Sequence, residues 1–190
     1  MYNLKIITST TRPGRKGPAI ANWIANIAAQ NPELNIEILE LGEINLPMMD
    51  EQHHPAMRKY EHAHTKAWSA TIENADAFII VTAEYNFGIP APLKNALDYL
   101  FHEWNHKPVG IVSYGGISGG TRAAQMLKQV VTTLKMFPLY ETVILPFYSQ
   151  HMENDQFKGT ESANASAQLM LKELHRVIPA MQIMREVQPA

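Results

Sequence analysis

One stretch limits the possible folds more than any other. Ala77-Phe78-Ile79-Ile80-Val81 is an unbroken apolar run of strand length. A strand with one wet face alternates, whereas an unbroken run reads as a strand buried on both faces, in the middle of a parallel sheet. Parallel strands need crossovers, so helical segments must alternate with strands along the chain. Residues 4–8 read as a second buried strand, and Pro18 stands where a helix opens, with Ile20, Trp23, Ile24 and Ile27 on one face until Asn31-Pro32. Residues 34–41 begin by alternating, Leu34, Ile36 and Ile38 against Asn35 and Glu37, as a strand near a sheet edge does. A long connection over 42–55 carries Met48-Met49, and a helix is expected from 56 to about 74, with Met57, Tyr60, Ala63, Ala67, Trp68, Thr71 and Ile72 near one stripe.

Pro92 opens the next helix, 109–114 is a strand, and the helix after Gly120 runs to about Lys135. A weaker strand follows over 139–145, then a polar loop over 149–159, and Thr160 can cap a last helix. Residues 186–190 are expected to fray. Five strands alternating with five helices predict one α/β domain over residues 1–190, a five-stranded parallel sheet in the order 2-1-3-4-5 between two helical layers.

In such a sheet ligands lie beyond the carboxyl ends of the strands, where the winding reverses. Three loops of unusual composition emerge there. The first carries the hydroxyls of Ser9, Thr10 and Thr11, the cations of Arg12, Arg15 and Lys16, and Gly17 at the start of a helix, whose dipole and free N–H groups favour a phosphate. The second, Glu84-Tyr85-Asn86-Phe87-Gly88, offers aromatic surface and main-chain N–H groups, and Tyr85, Asn86 and Gly88 are expected to hold the edge of a ring through them. The third, with Ser113, Gly115, Gly116, Gly119 and Gly120, lets a flat ring approach the backbone closely. Phosphate, ring and ring edge together describe flavin mononucleotide; the plainer alternative is three tight turns that need glycine. A Walker loop fails because Gly17 follows Lys16, and a dinucleotide fingerprint fails because Met136-Phe137-Pro138 stands where an acidic residue is required.

His53 and His54 are adjacent, while His62 and His64, two apart, are expected to be split across a helix surface, so no metal site is expected. The chain has no cysteine, which excludes disulfides, thiol redox chemistry and thiolate metal sites and leaves redox work to a borrowed cofactor. A net charge of −2 provides no field for nucleic acid, and no apolar run reaches the roughly 18 residues of a membrane span. With no signal peptide recognised, a cytoplasmic location is expected.

Four motifs resemble those of the NADPH-dependent FMN reductase family, flavodoxin-like proteins that include small quinone, azo-dye and chromate reductases. Thr8-Ser9-Thr10-Thr11-Arg12 is similar to the family's G-S-x-R, Ala83-Glu84-Tyr85-Asn86 to P-E-Y-N, and Leu93-Lys94-Asn95-Ala96-Leu97-Asp98-Tyr99 to L-K-N-A-[IL]-D-[WY]. Ser113, Gly115, Gly116, Gly119 and Gly120 match the later glycine loop, while Thr8 and Ala83 depart from the usual Gly and Pro. The resemblance implies a flavodoxin-like three-layer sandwich with FMN at a dimer interface. Hydride would pass from NADPH or NADH to flavin N5 and on to a quinone, flavin, azo or metal-oxyanion acceptor, with no side chain acting as acid or base. A homodimer or a dimer of dimers is expected, with Met48, Met49, Met57, Tyr60 and Trp68 as its surplus apolar surface. Two other readings stand beside it: a one-electron carrier of the flavodoxin type, to which a net charge of −2 lends little support, and an interaction protein governed by flavin redox state.

Overall fold

The computed structural model describes residues 1–187. Five parallel strands, β1 (Tyr2–Thr8), β2 (Leu34–Glu40), β3 (Ala77–Ala83), β4 (Pro108–Tyr114) and β5 (Phe137–Leu145), form a sheet in the order β2-β1-β3-β4-β5. The expected order is therefore found. β3 is buried at every position. Its alternate residues feed two cores: Ile79 and Val81 pack toward α1 (Gly17–Ala28) and α6 (Glu161–Glu186), and Phe78 and Ile80 toward α3 (Ala63–Glu73), α4 (Ala91–Asp98) and α5 (Thr121–Thr133). Helices on both faces are what an unbroken apolar strand requires. Thr160 caps α6 as expected, its hydroxyl accepting the N–H of Ala163 at 3.1 Å. Among the described residues no helix is long and apolar enough to cross a membrane.

The segment between β2 and β3 departs from its reading. A short helix, α2 (Leu41–Ile44), follows β2 directly, and Pro55–Met57 form an isolated 3₁₀ turn closed by Arg58 in the left-handed region at φ 51°. That reversal prevents one continuous helix from 56 to 74, so α3 starts only at Ala63. The stripe divides accordingly. Trp68 is 3% exposed, stands edge-on to Trp104 at 6.1 Å, and donates its indole N–H to the carbonyl of Ala96 at 2.9 Å. Tyr60 donates to buried Glu103 at 2.9 Å. Both residues serve this chain's own core, leaving Met48, Met49 and Met57 as the exposed apolar surface of the set. His62 precedes α3 in an extended conformation, so it is not split from His64; their rings stack at 5.1 Å and 10°, both facing Asp50.

The most specific motif proves to be a staple. Asn95 donates to the carbonyl of Pro47 at 2.7 Å and accepts the N–H of Met49 at 2.9 Å, while the Tyr99 hydroxyl reaches the same Pro47 carbonyl at 3.1 Å. These bonds from α4 fix the 47–49 loop and leave Met48 pointing outward, 76% exposed. Beyond β5, the expected polar loop contains a small hairpin, β6 (Met152–Glu153) and β7 (Gln156–Phe157). Asn154 and Asp155 turn it with positive φ, 48° and 60°, the conformation of a type I′ turn.

Lys107, at the opposite end of the sheet from these loops, is 3% exposed and caps the C-terminus of α3 by donating to the carbonyls of Ile72 at 2.8 Å and Glu73 at 2.9 Å. Burial pulls its pKa down from 10.5 to about 8. Between those values the unfolded chain binds the extra proton, so stability rises with pH. A gain of about 2 kcal/mol is expected from pH 7.5 to 9.5. Urea midpoints at the two pH values test it, and Lys107→Met should remove the rise; the same rise in that variant would show that another group is responsible.

Candidate functional site

The carboxyl ends of β1, β3 and β4 deliver the three loops to one edge of the sheet, where they enclose a cavity of about 200 Å³. Thr10, Arg12, Lys16, Tyr85, Tyr114 and Tyr148 line it, with Gly115 and Gly116 along one wall. Thr10 is the hydroxyl of the first loop that faces inward, 3.4 Å from the hydroxyl of Tyr114. Burial raises the pKa of Tyr114 to about 12, so its hydroxyl keeps its proton at neutral pH. No side chain caps the start of α1, and Pro18 has no N–H to satisfy. A Cβ on Gly17 would stand 2.8 Å from the Thr10 hydroxyl and 3.3 Å from that of Tyr114. The bare backbone there preserves the hydroxyl pair at the helix N-terminus.

The other two hydroxyls face elsewhere. Ser9 is fully buried and laces β1 to β3, its N–H donating to Val81 at 3.1 Å and its Oγ accepting from Ala83 at 3.2 Å. Thr11 lines a separate cavity of about 200 Å³ with Leu41, Met48 and Asn95. The three cations all have partners within the chain. Arg12 donates to the Tyr85 hydroxyl at 3.2 Å across the cavity mouth, Arg15 pairs with Glu40, and Lys16 pairs with Asp155 at 2.6 Å. A phosphate entering here exchanges internal partners rather than meeting free charge.

The second loop corrects its reading most. Tyr85 and Gly88 spend their N–H groups on each other's carbonyls, at 3.0 and 2.9 Å, closing a tight hairpin. Only the N–H groups of Asn86 and Phe87, at φ 48° and 71°, stand at its tip. Gly88 has ordinary φ, and a Cβ there would meet the flexible thioether of Met126 at 3.2 Å, so its small size is not a steric necessity. Glu84 is a clamp. Its carboxylate accepts the side chain of Arg122, the Ser118 hydroxyl at 3.2 Å and the N–H of Arg122 at 3.0 Å, tying this loop to the start of α5. Burial alone would raise its pKa; the hydrogen bonds from Arg122 and Ala123 outweigh it and hold the carboxyl below its ordinary value. Phe87 turns out of the cavity with Arg122 over its ring at 3.8 Å.

In the third loop Ser113 lies inside β4, fully buried, its hydroxyl without a partner among the described residues and away from the cavity. Gly119 and Gly120 are structural, at φ 59° and 83°. Gly115 and Gly116 are the two that border the cavity. Sequence reasoning left out Tyr114 and Tyr148, which meet edge-on at 4.9 Å. Tyr114 was detectable as the last residue of a strand ending at the site. Tyr148 lies past β5, in a segment whose composition carried no signal.

A family model described as NADPH-dependent FMN reductase matches residues 3–150 of the 190. The chain belongs to the NADPH-dependent FMN reductase family. Membership makes it an oxidoreductase that works with FMN and NAD(P)H. An NAD(P)H-dependent FMN reductase of Schizosaccharomyces pombe is 46% identical over 133 residues, 69% of this chain and 66% of the relative. One of Nectria sp is 36% identical over 183 residues, 91% of each chain. Among solved structures, the flavoenzyme NAD(P)H:(acceptor) oxidoreductase FerB of Paracoccus denitrificans superposes with a TM-score of 0.78 at 17% identity, over 95% of this chain and 99% of that one, which shows the shared fold. For this reductase-family chain the donor set fits FMN's phosphate end: three cations and two inward hydroxyls around an uncapped helix start.

Proposed function

We propose that the whole chain, residues 1–190, works as one unit that passes hydride equivalents from NADPH or NADH through FMN to a small acceptor, foremost a quinone. The observation that carries this is the cavity at the switch point, where loops from β1, β3 and β4 converge. FMN, when bound, supplies a ring that accepts hydride from nicotinamide and returns two electrons to an acceptor. The chain's own residues bind and orient. Arg12 and Lys16 offer charge to the phosphate, Thr10 and Tyr114 donate hydroxyl hydrogen bonds, and the N–H groups at the start of α1 complete the cradle. Two hundred cubic ångströms is below the roughly 300–1,000 Å³ of a typical ligand pocket. The cavity therefore suits the phosphate and part of the ribityl chain, leaving the flat ring to the rim made by Tyr85, Asn86, Gly115 and Gly116. Ser9, Glu84 and Ser113 act behind this surface, and no side chain is needed as acid or base.

A ring on the rim is open on one side. We place a second copy there, as a homodimer or a dimer of dimers, with exposed Met48 and Met49 at its edge. The unit is assigned to the cytoplasm.

Mixing the purified yellow protein with NADPH under nitrogen, with no other protein present, tests the reading. Flavin absorbance is expected to fall within seconds and to return on adding a quinone. A flavin that stays oxidised would favour the one-electron carrier instead.

A further inference from the structure

Phe87 is the least explained aromatic of the site. Its ring is 67% exposed and buries nothing of its own core. It occupies a left-handed position, φ 71°, in a tight turn where glycine, asparagine and aspartate are at home and a bulky ring is strained. Such outliers persist where the surroundings over-determine them, and they cluster at functional sites. The surroundings here do so. The Arg122 guanidinium covers one face of the ring at 3.8 Å, and it is itself held by Glu84 at 2.7 Å and the Ser118 hydroxyl at 2.9 Å. The ring is braced from behind and open in front. Tyr85, two residues earlier on the same tight hairpin, lines the cofactor cavity, and Phe87 stands at that hairpin's tip, just outside the lining.

We propose that Phe87 is the ring on which a flat, uncharged aromatic acceptor of the fused-ring quinone class stacks. This rests on the oxidoreductase reading above and adds the residue on which the quinone named there stacks. Arg122 is neutralised by Glu84, so the platform has no net charge with which to draw an anion such as a metal oxyanion. What it offers is a fixed, flat apolar face, and that selects for planar rings.

Phe87→Asn suits the left-handed turn and removes the ring. Its melting temperature is expected to rise, since the strained residue is replaced by one at ease there. The KM for 1,4-naphthoquinone should rise about tenfold, with kcat changing less than twofold, and calorimetric titration of the oxidised holoprotein with the same quinone should weaken by a similar factor. Ferricyanide, which has no ring to stack, should show a KM within twofold of the parent's, and Phe87→Tyr should restore the naphthoquinone value. An unchanged naphthoquinone KM and binding constant would overturn the platform, as would a parallel rise for ferricyanide. A drop in assembled mass by light scattering with KM unmoved would make the ring a contact between copies and overturn it too. The oxidoreductase reading fails separately, if NADPH leaves the parent's flavin oxidised.

Discussion

Gly120→Ala is expected to lower stability by about 2–4 kcal/mol, seen as an earlier urea midpoint at an unchanged slope. Two effects add. Gly120 stands at the N-cap of α5 at φ 83°, a conformation that L side chains rarely adopt. Its Cβ would also stand 2.9 Å from both the N and the O of Tyr114. Those are backbone atoms of a central strand and have no rotamer to yield, so the strand end itself must move. Tyr114 donates its hydroxyl to the cavity, and the same substitution should loosen FMN. Gly116→Ala is the matched comparison. A Cβ there meets nothing within 4 Å, so stability should change by less than about 0.5 kcal/mol. Equal midpoints for the two variants would show that the loop adapts and that its glycines are interchangeable.

Arg12→Ala is expected to weaken FMN retention by roughly ten- to a hundredfold, the range of a charge-assisted hydrogen bond to phosphate. Arg12 is the cation whose present partner is a neutral hydroxyl, that of Tyr85 at 3.2 Å. Arg15 and Lys16 must leave carboxylates, Glu40 and Asp155, before they can serve an anion. Arg12 therefore gives up least on meeting a phosphate and should carry the largest share. Tyr85→Phe separates the two roles, because it frees the guanidinium without removing it and should leave FMN binding within about threefold. Fluorescence titration of the apoprotein with FMN measures all of these. Full affinity in Arg12→Ala would place the phosphate elsewhere.

The sheet was legible because burial writes itself into sequence. Ala77 to Val81 has one suitable place, and the alternation of 34–38 marks an edge strand, β2, which is where it lies. The site was legible only as far as its loops. Which hydroxyl of Ser9, Thr10 and Thr11 faces inward depends on how the chain twists as it leaves β1, and adjacent residues looked equal until the strand's direction was fixed. Glu84 read as a ligand because its motif sits at the site, yet its partner Arg122 lies 38 positions away and no local pattern announces the clamp. The break before α3 was hidden for a related reason: Met57 and Tyr60 keep helical spacing, but the chain reverses at Arg58, just after Met57, and α3 starts only at Ala63, past Tyr60.

The match to the family model ends at residue 150, but the layer that closes one side of the sheet does not. Met170, Leu174 and Ile178 of α6 are fully buried against Leu4, Ile79 and Val143, and Asp155 anchors Lys16 at the far end of the molecule's sequence. A chain cut at residue 150 would lose α6, bare to water the part of the strand face that α1 leaves uncovered, and release a cation beside the cofactor cavity.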